Sequence, residues 1–128
     1  GVWAPIPRLN RLQLAHSDII SFHHYQDEKS LKKTITTLKR KHCRPILCTE
    51  WMARPLGSQV KTHLPIFRDQ GVGCFCWGLV SGRTQTIHRW TDRPGTPAPR
   101  LWHHDLLHPD GSPYDENEIA LMRQITMN

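Results

Sequence analysis

The stretch RPILCTEWMARP, Arg44 to Pro55, ends a short apolar run in Thr49, Glu50 and Trp51, so that a strand delivers a carboxylate and an indole at its last step. Strand alternation puts Ile46, Cys48 and Glu50 on one face and Leu47 and Thr49 on the other. If the first face looks into a barrel, Glu50 stands at the rim, where barrel enzymes keep their catalytic groups. The plainer alternative is a glutamate that leaves the strand into solvent. Two further runs offer polar or aromatic groups in the same way. Ser21, His23 and Tyr25 alternate onto one face of SDIISFHHYQ, and Gly73, Phe75 and Trp77 onto one face of VGCFCWGLV.

Other reactive types are present without a pattern that commits them. Cys74 and Cys76 are two apart on an expected strand and lack the C-x-x-C form of zinc and redox sites. With Cys43 and Cys48 they form no recognisable framework, and disulfide use and compartment are not readable from them. Nine histidines, including His23–His24 and His103–His104, make a metal site conceivable, but ordinary polar histidines account for them and no metal or cofactor is expected. The net charge of +6 invites a nucleic-acid partner. The basic residues are dispersed, however, and the densest run, LKKTITTLKRKH, has the pattern of an amphipathic helix with a solvated face. No apolar run approaches the roughly 20 residues of a membrane span, and GVWAPIPRLNRLQLAH lacks the parts of a secretory signal. Neither nucleic acid nor membrane is an expected partner.

The elements that would position these residues can be read in order. After a Pro-containing opening, residues 17–25 form an expected strand. Asp27 precedes a helix with Leu31, Ile35 and Leu38 as its apolar stripe, ending near His42–Cys43. Residues 44–50 are the next strand. LGSQVKTHLPIFRDQG reads as a second helix, with Ser58 as N-cap, Gly71 as C-terminal stop and Pro65 expected to kink or divide it. Residues 72–80 form the last strand, a long loop runs from Ser81 to about Pro113, and residues 114–126 close with a helix bearing Ile119, Met122 and Ile125. Repeated strand–helix units imply parallel strands and an α/β class. The 128 residues suffice for one domain. Three strands cannot close a barrel and would leave sheet edges bare, so the chain reads as part of something larger.

GVW, SDIISFHHY, RPILCTEWMAR, WGLVSGRTQT and LWHHDLLHPDGSPYD, taken together and in order, resemble the C-terminal half of a (β/α)8-barrel retaining glycoside hydrolase of the cellulase-like clan that includes families 5 and 2. The similarity spans Gly1 to about Arg123. It implies a partial (β/α)8 TIM barrel covering roughly strands five to eight and their helices: residues 1–4 the tail of strand five, 17–25 strand six, 44–50 strand seven and 72–80 strand eight.

The resemblance also implies roles. Glu50, ending strand seven, would be the nucleophile; His23 and Tyr25 would point into the site from strand six; and Trp77 would line the sugar subsite at the scissile bond. Retaining hydrolysis uses two carboxyl groups roughly 5–5.5 Å apart. A tyrosine hydroxyl is a suitable donor to the ionised one. Sugars present apolar ring faces, which suit Trp77 and Trp51 as stacking platforms, and Arg83, Gln85 and His88 of the following loop could contact substrate. The family's acid/base glutamate follows an asparagine at the end of strand four, which has no counterpart here; ENE at Glu116–Glu118 falls in the terminal helix and reads as surface charge. The expected activity is therefore the nucleophile half of a β-glycan hydrolase, with the partner either a missing N-terminal half-barrel or a second copy of the chain. The isolated residues are expected to be inactive. The alternative is a catalytically inactive truncated half-barrel with a carbohydrate-binding or vestigial role, alone or as a dimer that covers its open sheet edges.

Overall fold

The computed structural model describes residues 1–127. Its elements run α1 (Pro7–His16), β1 (Ile20–His24), α2 (Glu28–Lys41), β2 (Ile46–Trp51), α3 (Val60–Asp69), β3 (Gly73–Cys76) and α4 (Glu116–Thr126), with a single 3-10 turn at Arg54–Leu56. The sheet has the order β1-β2-β3, and both pairings are parallel.

The sequence logic of the two central helices is plain. Asp27 caps α2 by accepting from the Ser30 N–H at 2.8 Å, and the apolar stripe Leu31, Ile35 and Leu38 is buried. In α3 the expected cap differs. Ser58 instead turns its Oγ to the Met52 N–H at 3.2 Å, and the helix begins after Gln59. Pro65 does not divide α3, which runs unbroken through it to Asp69 and stops before Gly71 at φ 56°. The Pro-containing opening, to which the sequence assigned no helix, contains α1. Pro7 starts it, and none of its residues is buried: Leu9 and Leu12, at helical spacing, stay exposed.

The expected partial (β/α)8 barrel is not what forms. The described residues make one open three-stranded parallel sheet with four α-helices. Residues 1–4, expected as the end of a further strand, contribute a single bridge, Val2 to Phe22, closed by the Val2 N–H on the Ser21 carbonyl at 2.6 Å. Residues 72–80 shrink to the four of β3, because Gly78 turns the chain at φ 83°. A Cβ there would come within 2.6 Å of Asp105 Oδ1 and 2.7 Å of His104 Cβ, so only glycine permits the turn.

One face of the sheet carries the core. Ile20 and Phe22 from β1 and Ile46, Cys48 and Trp51 from β2 are buried against Leu31, Ile35, Leu38, Val60, Leu64 and Phe67 of the helices. Ile119, Met122 and Ile125 of α4 pack partly against the same cluster. The other face is only partly covered: Ser21, His23, Leu47 and Glu50 are half-buried, Phe75 of β3 is 60% exposed, and Trp77, just past β3, is 46% exposed.

The core also buries histidines. His24, His63, His103 and His104 are each at most 3% exposed, and burial lowers the pKa of all four, His24 to about 4. Such groups are neutral in the fold and protonate more readily once it opens. Stability from this source is complete above 6.5, the ordinary histidine value, and is lost as pH falls through that value toward about 4. Each histidine protonated only in the unfolded chain steepens the loss by about 1.4 kcal/mol per pH unit. Urea midpoints are expected to drop across this interval, and a flat profile would contradict the buried placement.

Candidate active site around Glu50

The strand periodicity that would have turned Glu50 toward Cys48 is broken by one residue. Phe22 pairs with Cys48, but the next residue of β1, His23, pairs with Glu50, so Thr49 is the extra residue of a bulge. Cys48 and Trp51 keep the core face, opposite Phe22 and His24, while Glu50 moves to the open face beside His23. This corrects the expected grouping of Ile46, Cys48 and Glu50. The grouping of Ser21, His23 and Tyr25 stands, because Ile20, Phe22 and His24 take the buried side.

A hydroxyl and an imidazole meet one oxygen there. The Tyr25 hydroxyl donates to Glu50 Oε2 at 2.7 Å, and His23 Nδ1 lies 3.1 Å from the same oxygen. Burial lowers the His23 pKa despite the raising effect of Glu50. A neutral His23 can hold the carboxylate only with its proton on Nδ1. Burial and, second, the bond to Glu50 push the Tyr25 phenol well above its ordinary value, so it stays a donor. Oε1 has no hydrogen bond among the described residues, and the Glu50 side chain is 26% exposed. The result is a carboxylate held through one oxygen, with the other free of hydrogen bonds among the described residues.

The residues around this pair come from far along the chain. Trp3 stacks on His23 with centroids 5.2 Å apart and planes within 5°. Trp90 meets Tyr25 edge-on at 4.9 Å, and His104 lies 5.7 Å from Tyr25. His104 Nδ1 donates to the Met52 carbonyl at 2.5 Å, which leaves no proton on Nε2 in the neutral ring. Met52 itself has φ 78°, a left-handed conformation that costs a non-glycine residue about 1–3 kcal/mol. His104 and Ser58 clamp its two backbone polar groups, so the strained turn directly after Glu50 and Trp51 is fixed from both sides.

Arg54 anchors the assembly from below. It is 4% exposed, donates to Glu118 through Nε and Nη2 and to the His104 carbonyl through Nη1 at 2.9 Å, and stacks over Tyr114 at 4.7 Å. Glu118, expected as surface charge, is therefore the carboxylate that ties α4 to the loop behind the site.

The remaining expected residues separate. Trp77 is on the open face and half exposed. Gln85 and His88 line a cavity with it, whereas Arg83 is exposed on the same loop without a hydrogen bond or ion pair among the described residues. Trp51 is 1% exposed, stacked on His63 at 6.0 Å and set edge-on to Phe67 at 5.3 Å. The expected stacking platform is thus a core residue with no face left for a sugar, because the bulge that turned Glu50 out turned Trp51 in. Sequence reasoning passed over Trp3, Trp90 and His104. The available signals were the exposed-type tryptophan in TIHRW and the paired histidines that follow Trp102. Cys48 and Cys74 are pushed up to about 12 by burial and serve as apolar packing rather than as nucleophiles.

No protein-family model, no curated protein and no solved structure matches this chain.

Proposed function

We propose that the chain carries the nucleophile side of a retaining β-glycoside hydrolase site, with Glu50 as nucleophile, Tyr25 and His23 as its positioning donors and Trp77 as an aromatic wall for the sugar. The observation that carries this reading is the Tyr25 hydroxyl bonded to Oε2, with His23 Nδ1 3.1 Å from the same oxygen and Oε1 free of hydrogen bonds among the described residues. Orienting a carboxylate by one oxygen and leaving the other free is what in-line attack on an anomeric carbon requires. The order of segments that resembles the cellulase-like hydrolases supports the same chemistry.

In the first step Oε1 attacks C1 of the sugar. The C1–Oε1 bond forms, the bond to the leaving oxygen breaks, and its electron pair departs with that oxygen. An unactivated sugar alcohol leaves only if a second carboxyl group protonates it. Among the described residues, the hydrogen-bonded cluster contains Glu50 alone as a carboxylate. Natural β-glycans are therefore not turned over by these residues unaided. A leaving group that needs no proton bypasses the requirement.

A 2,4-dinitrophenyl 2-deoxy-2-fluoro-β-glycoside is such a reagent, and its fluorine slows hydrolysis of the ester that forms. The expected result is a burst of dinitrophenolate approaching one per chain, absent in Glu50→Gln. Equal release from both proteins would remove Glu50 from the role. A non-catalytic carbohydrate-binding role is the second reading, favoured by the exposed indoles of Trp77 and Trp90. It predicts sugar binding with no burst.

A further inference from the structure

Residues of the loop from Thr84 to Thr96 line, with Trp77 and His104, an open cavity of about 440 Å³. One wall is Trp90, whose ring rests edge-on against Tyr25, the residue bonded to Glu50. The cavity is thus a neighbour of the Glu50 site: Trp90 and His104, which both line it, each lie against Tyr25. Its lining pairs two exposed indoles, Trp77 and Trp90, with the amide of Gln85 and with Arg89, Asp92 and Arg93. Indole faces suit the apolar faces of sugar rings, and the amide suits their hydroxyls.

The charges are not balanced within this lining. Asp92 is engaged locally: its Oδ2 accepts from the Arg89 backbone N–H at 2.9 Å, and His88 Nδ1 lies 3.8 Å away. The guanidinium groups of Arg89 and Arg93 have no ion pair among the described residues, and both residues are exposed on the cavity. Two forked donors without an internal anion are suited to a carboxylate supplied by a ligand.

We infer that this cavity is a subsite for an acidic sugar, a uronic acid residue of the glycan whose neighbouring ring lies at Glu50. The inference rests on the reading of Glu50 as a glycosidic site and adds the substrate class. Aromatic faces hold the ring, and Arg89 and Arg93 select the carboxylate. A wholly neutral glycan fills the same space but leaves both guanidinium groups without a partner.

Titration calorimetry on the chain compares β-1,4-xylotetraose with the same tetraose bearing one glucuronic acid branch. At low ionic strength the acidic sugar is expected to bind at least about tenfold more tightly, a preference that contracts in high salt. The double variant Arg89→Gln, Arg93→Gln is expected to bind both sugars equally, at the wild-type affinity for the neutral one. Trp90→Phe, which keeps an aromatic wall, should retain the preference. Equal wild-type affinities, or binding of neither sugar, would overturn the acidic subsite. So would a single-stranded oligonucleotide that binds in the cavity more tightly than the acidic sugar. A retained preference for the acidic sugar with no burst at Glu50 would overturn the hydrolase reading and leave the subsite standing.

Discussion

Trp51→Ala is expected to lower the unfolding free energy by about 3–5 kcal/mol, a large part of the roughly 5–15 kcal/mol that holds a domain of this kind together. The indole is almost wholly enclosed between His63 and Phe67. Its removal opens a cavity under β2 that the packed helices cannot collapse to fill. Trp77→Ala, on the open face, is expected to change stability by no more than about 0.5 kcal/mol while weakening sugar binding. Urea unfolding of the two variants side by side separates the roles. A stable Trp51→Ala protein with lost sugar affinity would mean that Trp51, not Trp77, faces the ligand.

The second large effect falls on rate. Tyr25→Phe removes the hydroxyl that holds Glu50 Oε2 at 2.7 Å and deletes no ring contact with Trp90. The carboxylate is then tethered by His23 alone and free to rotate out of line with the anomeric carbon. Loss of alignment of this kind costs about a hundredfold, so the dinitrophenolate burst should slow by about that factor while reaching the same final amplitude. Stability should change little, because the ring stays packed. A burst of unchanged rate would show that the hydrogen bond is structural only. His23→Ala removes a longer and more exposed contact, one that also supports Trp3, and should slow the burst by a smaller factor.

These two expectations mark where the sequence could be read and where it could not. The stripe of Leu31, Ile35 and Leu38 and the Asp27 cap have a helical period and local chemistry, and α2 follows from them. Ser21, His23 and Tyr25 have a strand period, and the open face of β1 follows likewise. The bulge at Thr49 has no such signature. Strict alternation grouped Glu50 with Cys48, and the fit of an indole to sugar rings suggested Trp51 as a platform; the bulged pairing with β1 instead turned Glu50 to the open face and Trp51 into the core. The two expected site residues were affected in opposite ways by one inserted residue, which is why Glu50 is beside Tyr25 and Trp51 is in the core.

Long-range pairing explains the other differences. Arg54 and Glu118 are 64 residues apart, and neither has a pattern that names its partner. Trp90 and His104 reach Tyr25 from a segment without helix or strand, where periodicity says nothing. The barrel expected from the order of segments required strands that residues 1–4 and 77–80 do not supply. Parallel strands, intervening helices and the inability of three strands to close were legible; how few residues of each expected strand would pair was not, because pairing depends on the neighbouring strand rather than on what any one strand contains.

The central claim concerns a single oxygen, Glu50 Oε1, and the most direct measurement is the position of the bond it forms. After reaction with the fluorinated dinitrophenyl glycoside, proteolysis and tandem mass spectrometry of the chain should find the added sugar on the peptide containing Arg44 to Arg54, as an ester at Glu50. Glu50→Gln should return the same peptide unmodified. A sugar mass on any other carboxylate, or equal modification of both proteins, would contradict the assignment of Glu50 as nucleophile.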